Sequence, residues 1–127
     1  MDAPHDRSLR FRPHEHLRRP ADFQRVYDRR RSASDASLIV YVCENQLPYL
    51  RLGLSVSRKF GGAVQRNLLR RLYREAFRLT RHAMPVGFDL VLIPRRLAPP
   101  PLADLLQSLP RLVRQIAQRI EKEGSPR

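Results

Sequence analysis

Arg66, Arg70, Arg74 and Arg78 repeat at i+4 intervals through a stretch of helical periodicity, with Asn67 and Arg71 beside them. Ordinary surface helices mix charge signs at this spacing, because like charges one turn apart cost ~0.2–0.5 kcal/mol per pair. A row of guanidinium groups makes physical sense when phosphates relieve the repulsion. Each guanidinium presents parallel N–H donors that match a phosphate in two-point contacts. The bland alternative is a solvated charged face. Asn67 reads equally as a solvent-facing helix residue or as an amide bonding backbone or base edges between arginines. The chemistry on offer is anion docking.

Hydrolytic chemistry is far harder to find. Phosphodiester cleavage by protein side chains normally needs clustered carboxylates that hold two metal ions. Between Glu44 and Asp104 the only acids are Glu75 and Asp89, and no DxD or DxE pair occurs there. His14-Glu15-His16 could be read as a metal-ligand set, but it lies in a polar segment without further ligands nearby, where solvation is the simpler reading. Ser55 and Ser57 have no histidine partner in sequence reach. The single cysteine, Cys43, excludes internal disulfides and thiolate metal clusters, and reads as a small core residue. No catalytic residue and no metal ligand is therefore assigned.

The elements that must position the arginines follow from the rest of the chain. Its 127 residues suit one domain, and an apolar fraction of 42% supports a core. Formal charge is +13, and only Lys59 and Lys122 are lysines, so polyanions are the expected partners. The stretch Arg51–Arg81 carries nine of the 25 basic residues against one acid, Glu75. The polar N-terminus and the lack of any apolar run near the ~20 residues that span a bilayer point to a soluble, cytoplasmic protein.

Residues 1–16 read as a flexible polar arm, 17–122 as a single α+β domain and 123–127 as a tail. Pro20 opens a helix with Phe23, Val26, Tyr27 and Arg30 at helical spacing, which Arg29–Ser34 ends. Ser37–Cys43 is an apolar strand, and Leu50–Ser57 alternates as a half-buried one. Gly61-Gly62 precedes a helix over 63–81, and Phe88–Ile93 forms another strand. A last amphipathic helix begins at Leu102, with Pro110 expected to kink or interrupt it. On a helical wheel Val64, Leu68, Leu69, Leu72, Ala76 and Leu79 form an arc expected to face the core. Arg66, Asn67, Arg70, Arg71, Arg74, Arg78 and Arg81 form the opposite arc. Glu75 falls nearest Arg71, Phe77 among the arginines, and Tyr73 at their border.

The run Leu54–Phe77, LSVSRKFGGAVQRNLLRRLYREAF, closely resembles the signature of the bacterial ribonuclease P protein subunit. Ser57-Arg58-Lys59, Gly61, Ala63-Val64, Arg66-Asn67, Arg70-Arg71 and Arg74-Glu75-Ala76-Phe77 arrive together and in order. Leu17–Tyr27, LRRPADFQRVY, is similar to the family's first-helix pattern, and the likeness spans residues 17 to 96. Two departures stand out. Leu68 replaces the second arginine of the usual Arg-Asn-Arg, and Gly62 stands where asparagine is common.

The resemblance implies a two-layer fold of ribosomal-protein type, with about four strands in a mixed sheet, three helices and a left-handed βαβ crossover. It implies a protein subunit that helps a catalytic RNA remove the 5′ leader of precursor tRNA, with Mg2+ held mainly by that RNA. Arg58, Lys59, Arg66, Asn67, Arg70, Arg71 and Arg74 would bind the RNA subunit. Phe23, Tyr27 and Tyr41 would receive the single-stranded leader, since aromatics beside arginines grip single strands with little sequence preference. Without the resemblance, Phe23 and Tyr27 read first as packing residues. A structural RNA-binding module of ribosomal-protein type is the alternative, and a stand-alone metal-dependent nuclease the more remote one. A membrane partner is disfavoured because the helix needs its apolar face for the sheet. DNA binding by a helix-turn-helix is disfavoured because strands flank the basic helix.

Overall fold

The computed structural model describes residues 11–96 and 98–124. In chain order the elements are α1 (Pro20–Arg29), β1 (Ser32–Ser34), β2 (Leu38–Glu44), β3 (Arg51–Leu54), α2 (Ala63–Thr80), β4 (Phe88–Pro94) and α3 (Leu102–Gly124). The strands form one sheet in the order β1-β2-β4-β3. β1 and β2, and β2 and β4, pair antiparallel, whereas β3 and β4 run parallel from Arg51↔Asp89 to Leu54↔Leu92. Parallel neighbours require a crossover, and α2 supplies it.

Strand alternation assigns the two faces. Leu38, Val40 and Val42 of β2, with Leu90 and Leu92 of β4, point into the main core with α2 and α3. Cys43 and Val91 point the other way, against Val26 of α1 and Leu17, with Phe23, Tyr27, Tyr41 and Ile93 around them. The α+β class, four strands and mixed pairing are as expected. Helices cover both faces, so α1 adds a layer to the two anticipated.

Several boundaries differ from the sequence reading, each for a physical reason. The Arg29–Ser34 run does end α1, where Arg30 adopts a left-handed φ of 57° and donates its N–H to the Tyr27 carbonyl. Ser32–Ser34 then forms a short edge strand that has no apolar alternation to announce it. β3 stops at Leu54, although Val56 stays buried in a satellite cluster with Phe60 and Leu69. Pro110 does not interrupt α3, which runs unbroken from Leu102 to Gly124. Pro110 is buried within the helix, and its packing offsets the hydrogen bond proline cannot donate.

The basic helix is turned relative to the wheel reading. Leu69, Tyr73, Ala76, Phe77 and Thr80 are its buried residues, while Val64, Leu68 and Leu79 are exposed. Glu75 pairs with Arg78 rather than Arg71, through Nε at 3.1 Å and Nη2 at 2.7 Å.

Part of the supposed arm belongs to the domain. Leu17 N–H donates to the Leu52 carbonyl at 2.8 Å, and His16 bridges Leu52 in parallel, covering the outer edge of β3. Residues 13–15 form a 3-10 turn in which Glu15 is buried and accepts from Arg12 N–H at 2.7 Å and Arg81 Nη1 at 2.8 Å. The expectation of an arm over residues 1–10 lies outside the described residues, as does most of the 123–127 tail. Glu123, however, accepts from Arg31 Nε at 2.7 Å and so closes α3 onto the domain.

Candidate nucleic-acid interface

Placement of the arginines begins at Gly61. Its φ of 109° lies in the left-handed region, and a Cβ there would meet Gln65 Cβ at 2.8 Å, so this turn requires glycine. Gly62, the N-cap of α2, has an ordinary φ, and a Cβ there would meet nothing within 4 Å. Its cost is the missing side-chain cap, worth a few tenths of a kcal/mol relative to asparagine (~0.3).

Arg58 and Lys59 lie exposed on the 3-10 turn Arg58–Phe60, with the Lys59 ammonium 5.2 Å from the Phe60 ring centroid. Arg66 Nε donates to the Gly61 carbonyl at 3.2 Å, and Arg70 Nη1 donates to Asn67 Oδ1 at 3.0 Å. Asn67 thus orients its neighbour and keeps its amide donors outward. Arg71 is exposed, and Arg74 half-buried. Among the described residues none of Arg58, Arg66, Arg70, Arg71 and Arg74 has a carboxylate partner. Arg25, Arg29, Arg31, Arg51, Arg78, Arg81 and Arg111 all do. The charge row is therefore neutralised at its C-terminal end by Glu75 and Glu15, and left uncompensated over its first three turns.

The three aromatics stand on the other face of the sheet. Tyr27 of α1 and Tyr41 of β2 meet edge to face, 5.1 Å between centroids at 89°. Phe23 lies over Gly53 of β3, where a Cβ would approach its ring to 2.7 Å. All three are half-buried, so they pack α1 on the sheet while keeping ring surface exposed. Phe23 also reaches past the β3 edge into a small cleft lined by Phe11, His16, Leu54, Arg70 and Arg74. The structure thus brings Phe23 together with two of the arginines, a conjunction the sequence reading had kept apart. Arg58 and Lys59 line no part of that cleft.

Sequence reasoning missed two groups. Phe11 and His16 stack with centroids 3.7 Å apart at 17°, and nothing in the polar arm signalled a platform. Burial, then Arg18 and Arg74, holds the His16 imidazole below its ordinary pKa. Asp89, fully buried, gathers Arg25, Arg51 and Asn45. An isolated acid at the start of an apolar strand was the available signal.

The same acids bear on metal chemistry. Glu75 is held by Arg78, Asp89 by two arginines, and Glu15 by Arg81 and a backbone N–H. His14 meets the Tyr49 ring edge-on at 4.9 Å while His16 stacks on Phe11, so the His14-Glu15-His16 side chains diverge to separate partners. These donors do not fit a divalent-ion site.

The family profile described as Ribonuclease P matches residues 11–117. The chain belongs to the ribonuclease P protein family. Its curated relatives include the ribonuclease P protein component of Thermotoga maritima, 42% identical over 86 residues covering 68% of this chain and 74% of that one. That of Syntrophobacter fumaroxidans is 39% identical over 118 residues, covering 92% and 95%. Among solved structures, the Staphylococcus aureus RNase P protein superposes with a TM-score of 0.68 at 34% identity, covering 82% of this chain and 95% of that one. The Thermotoga maritima protein does so at 0.62 and 34%, covering 84% and 94%. Membership in the ribonuclease P family makes the chain a component of a tRNA-processing ribonucleoprotein, with ribonuclease P RNA as its partner.

Proposed function

We propose that this chain is the accessory subunit of ribonuclease P, docking the RNA subunit through α2 and the precursor-tRNA leader through the aromatic cleft. One observation carries the reading. The side chains that the resemblance assigns to RNA, Arg58, Arg66, Arg70, Arg71 and Arg74, lie together on α2 and its leading turn with no carboxylate partner among the described residues, whereas Arg78 and Arg81 at the end of the same helix are paired with Glu75 and Glu15. An uncompensated row of five guanidinium groups on one rigid helix and its leading turn is a surface for phosphates. Lys59 and the outward donors of Asn67 extend it.

Phe23, Tyr27 and Tyr41 supply ring surface on the opposite sheet face, suited to stacking unpaired bases of the leader. The hydrolysis, and the Mg2+ it uses, are assigned to the RNA, in keeping with Glu15, Glu75 and Asp89, whose carboxylates are held by arginines. The protein's part is to neutralise phosphate repulsion and to fix the leader.

Precursor-tRNA cleavage by protein alone, RNA subunit alone and both together tests this. We expect no cleavage by the protein alone and, at low Mg2+, enhancement only with both. Cleavage by the protein alone would reject the assignment. With about six phosphate contacts, log affinity for the RNA should fall against log salt with a slope of roughly −4 to −5, and Arg66→Ala with Arg70→Ala should flatten it.

A further inference from the structure

Two grooves share one wall. The stacked Phe11–His16 pair and Arg74 line the cleft that holds Phe23, and they also line a second groove on the far side, whose floor is Leu68 and Leu72 and whose rim adds Arg71. The pair is braced from behind, because Phe11 leans on the buried ring of Phe77 at 5.1 Å between centroids. Leu68 is 50% exposed, an apolar side chain on a face otherwise given to arginine. It stands where the family motif usually has its second arginine, so this chain offers an apolar contact in place of a phosphate contact.

The chemistry of this groove is asymmetric. Its one acid, Glu75, is occupied by both donors of Arg78, while Arg71 and Arg74 have no carboxylate partner among the described residues. A leucine floor, an aromatic wall and a cationic rim match a flat apolar group joined to an anion. That is the make-up of an unpaired nucleotide. Paired RNA would reach the rim and leave the floor uncovered, because its bases are stacked away. A protein partner would need several times the apolar area that two leucines expose.

Resting on the docking role proposed above, we propose that this groove binds one unpaired ribonucleotide. Its base lies against Leu68 and the Phe11–His16 wall, and its phosphate on Arg71 and Arg74. The nucleotide belongs to the RNA subunit, because the groove is walled by α2, whose Arg71 and Arg74 are assigned to that RNA, and Phe23 does not line it.

The test uses Leu68→Ser, with Leu68→Met as the apolar control, since this side chain is half exposed and its loss leaves the core intact. Binding to the RNA subunit alone is measured across a salt series. Binding of precursor against mature tRNA to the assembled ribonucleoprotein is measured in parallel. The leucine contact lies at the low end of the roughly 1–3 kcal/mol that a stacked base contributes and releases no counterions, so Leu68→Ser should weaken binding about five- to tenfold with an unchanged salt slope. Leu68→Met should keep wild-type affinity. A loss in the first arm supports the assignment to the RNA subunit, and a loss confined to precursor tRNA overturns it in favour of the leader. Affinity within twofold in both arms overturns the proposal, as does a loss accompanied by a flatter slope. Arg66→Ala with Arg70→Ala serves as the reference. If it weakens RNA binding while Leu68→Ser does not, the nucleotide site alone falls. If it too has no effect, the docking role falls with it.

Discussion

Asp89→Asn should be the most damaging conservative change in this protein. Asp89 opens the internal strand β4 with no exposed surface. Its carboxylate accepts from Arg51 Nε and Nη2, both at 2.8 Å, from Asn45 Nδ2 at 2.9 Å, and from Arg25 Nη2. Arg25 sits on α1 and Arg51 on β3, so one side chain ties the aromatic-bearing helix and the outer strand to the middle of the sheet. Asparagine keeps the shape, removes the charge and turns an amide donor toward two cations. Breaking a buried ion pair from one side costs about 3–5 kcal/mol. Here the arginine side chains retain 40% and 23% exposure, so water recovers part of that loss. About 2–3 kcal/mol remains. At about 4 °C per kcal/mol for a domain of this size, Tm should fall by about 8–12 °C. Far-UV circular dichroism of the isolated protein during heating reads this directly. Arg25→Gln should cost less, and the double variant should cost less than the sum, because both changes dismantle one cluster. A Tm within 2 °C of wild type for Asp89→Asn would refute the reasoning.

Gly53→Ala would drive a Cβ to 2.7 Å from the Phe23 ring, so it should destabilise by about 1–3 kcal/mol and displace the ring. Both Gly53→Ala and Phe23→Ala should then reduce the preference for precursor over mature tRNA, and equal loss for the two substrates would count against a leader cleft. Tyr73→Phe should raise the urea midpoint by about 1 kcal/mol of stability, because the buried Tyr73 hydroxyl has no partner among the described residues. A lowered midpoint would show that the hydroxyl has found an acceptor. The hydrogen bonds from Arg29 hold the Glu44 carboxyl below its ordinary pKa. A depressed folded-state value gives stability that is present above the ordinary glutamate range and lost as pH falls through the folded value. Arg29→Gln should therefore lower stability near neutrality and flatten the acid side of the stability profile, measured by urea unfolding between neutral and acid pH.

Strand periodicity in β2 and β4, and the proline and glycine punctuation around the helices, were legible because local pattern and tertiary burial agree there. The wheel of α2 misled for a definable reason. Its apolar residues from Val64 round to Phe77 cover about 220° of the circumference, more than one packing face can bury, so part of the arc had to meet solvent. Counting leucines placed that face on Val64, Leu68 and Leu79. The larger rings of Tyr73 and Phe77 took it instead, with Leu69 serving the satellite cluster under Phe60. Rotation of the helix leaves the arginine arc outward, but it moves Leu68 into the open and turns Arg70 and Arg74 toward the β3 edge. The Phe11–His16 segment covers that edge, which no local pattern could announce, since its partners are the Leu52 backbone and the Phe77 ring. The consequence reaches function. Read from sequence, the arginine helix and the three aromatics were separate surfaces; in the fold Phe23 lines one cleft with Arg70 and Arg74. An RNA phosphate held there would sit within reach of both, so docking of the RNA subunit and positioning of the leader are expected to be energetically coupled rather than independent.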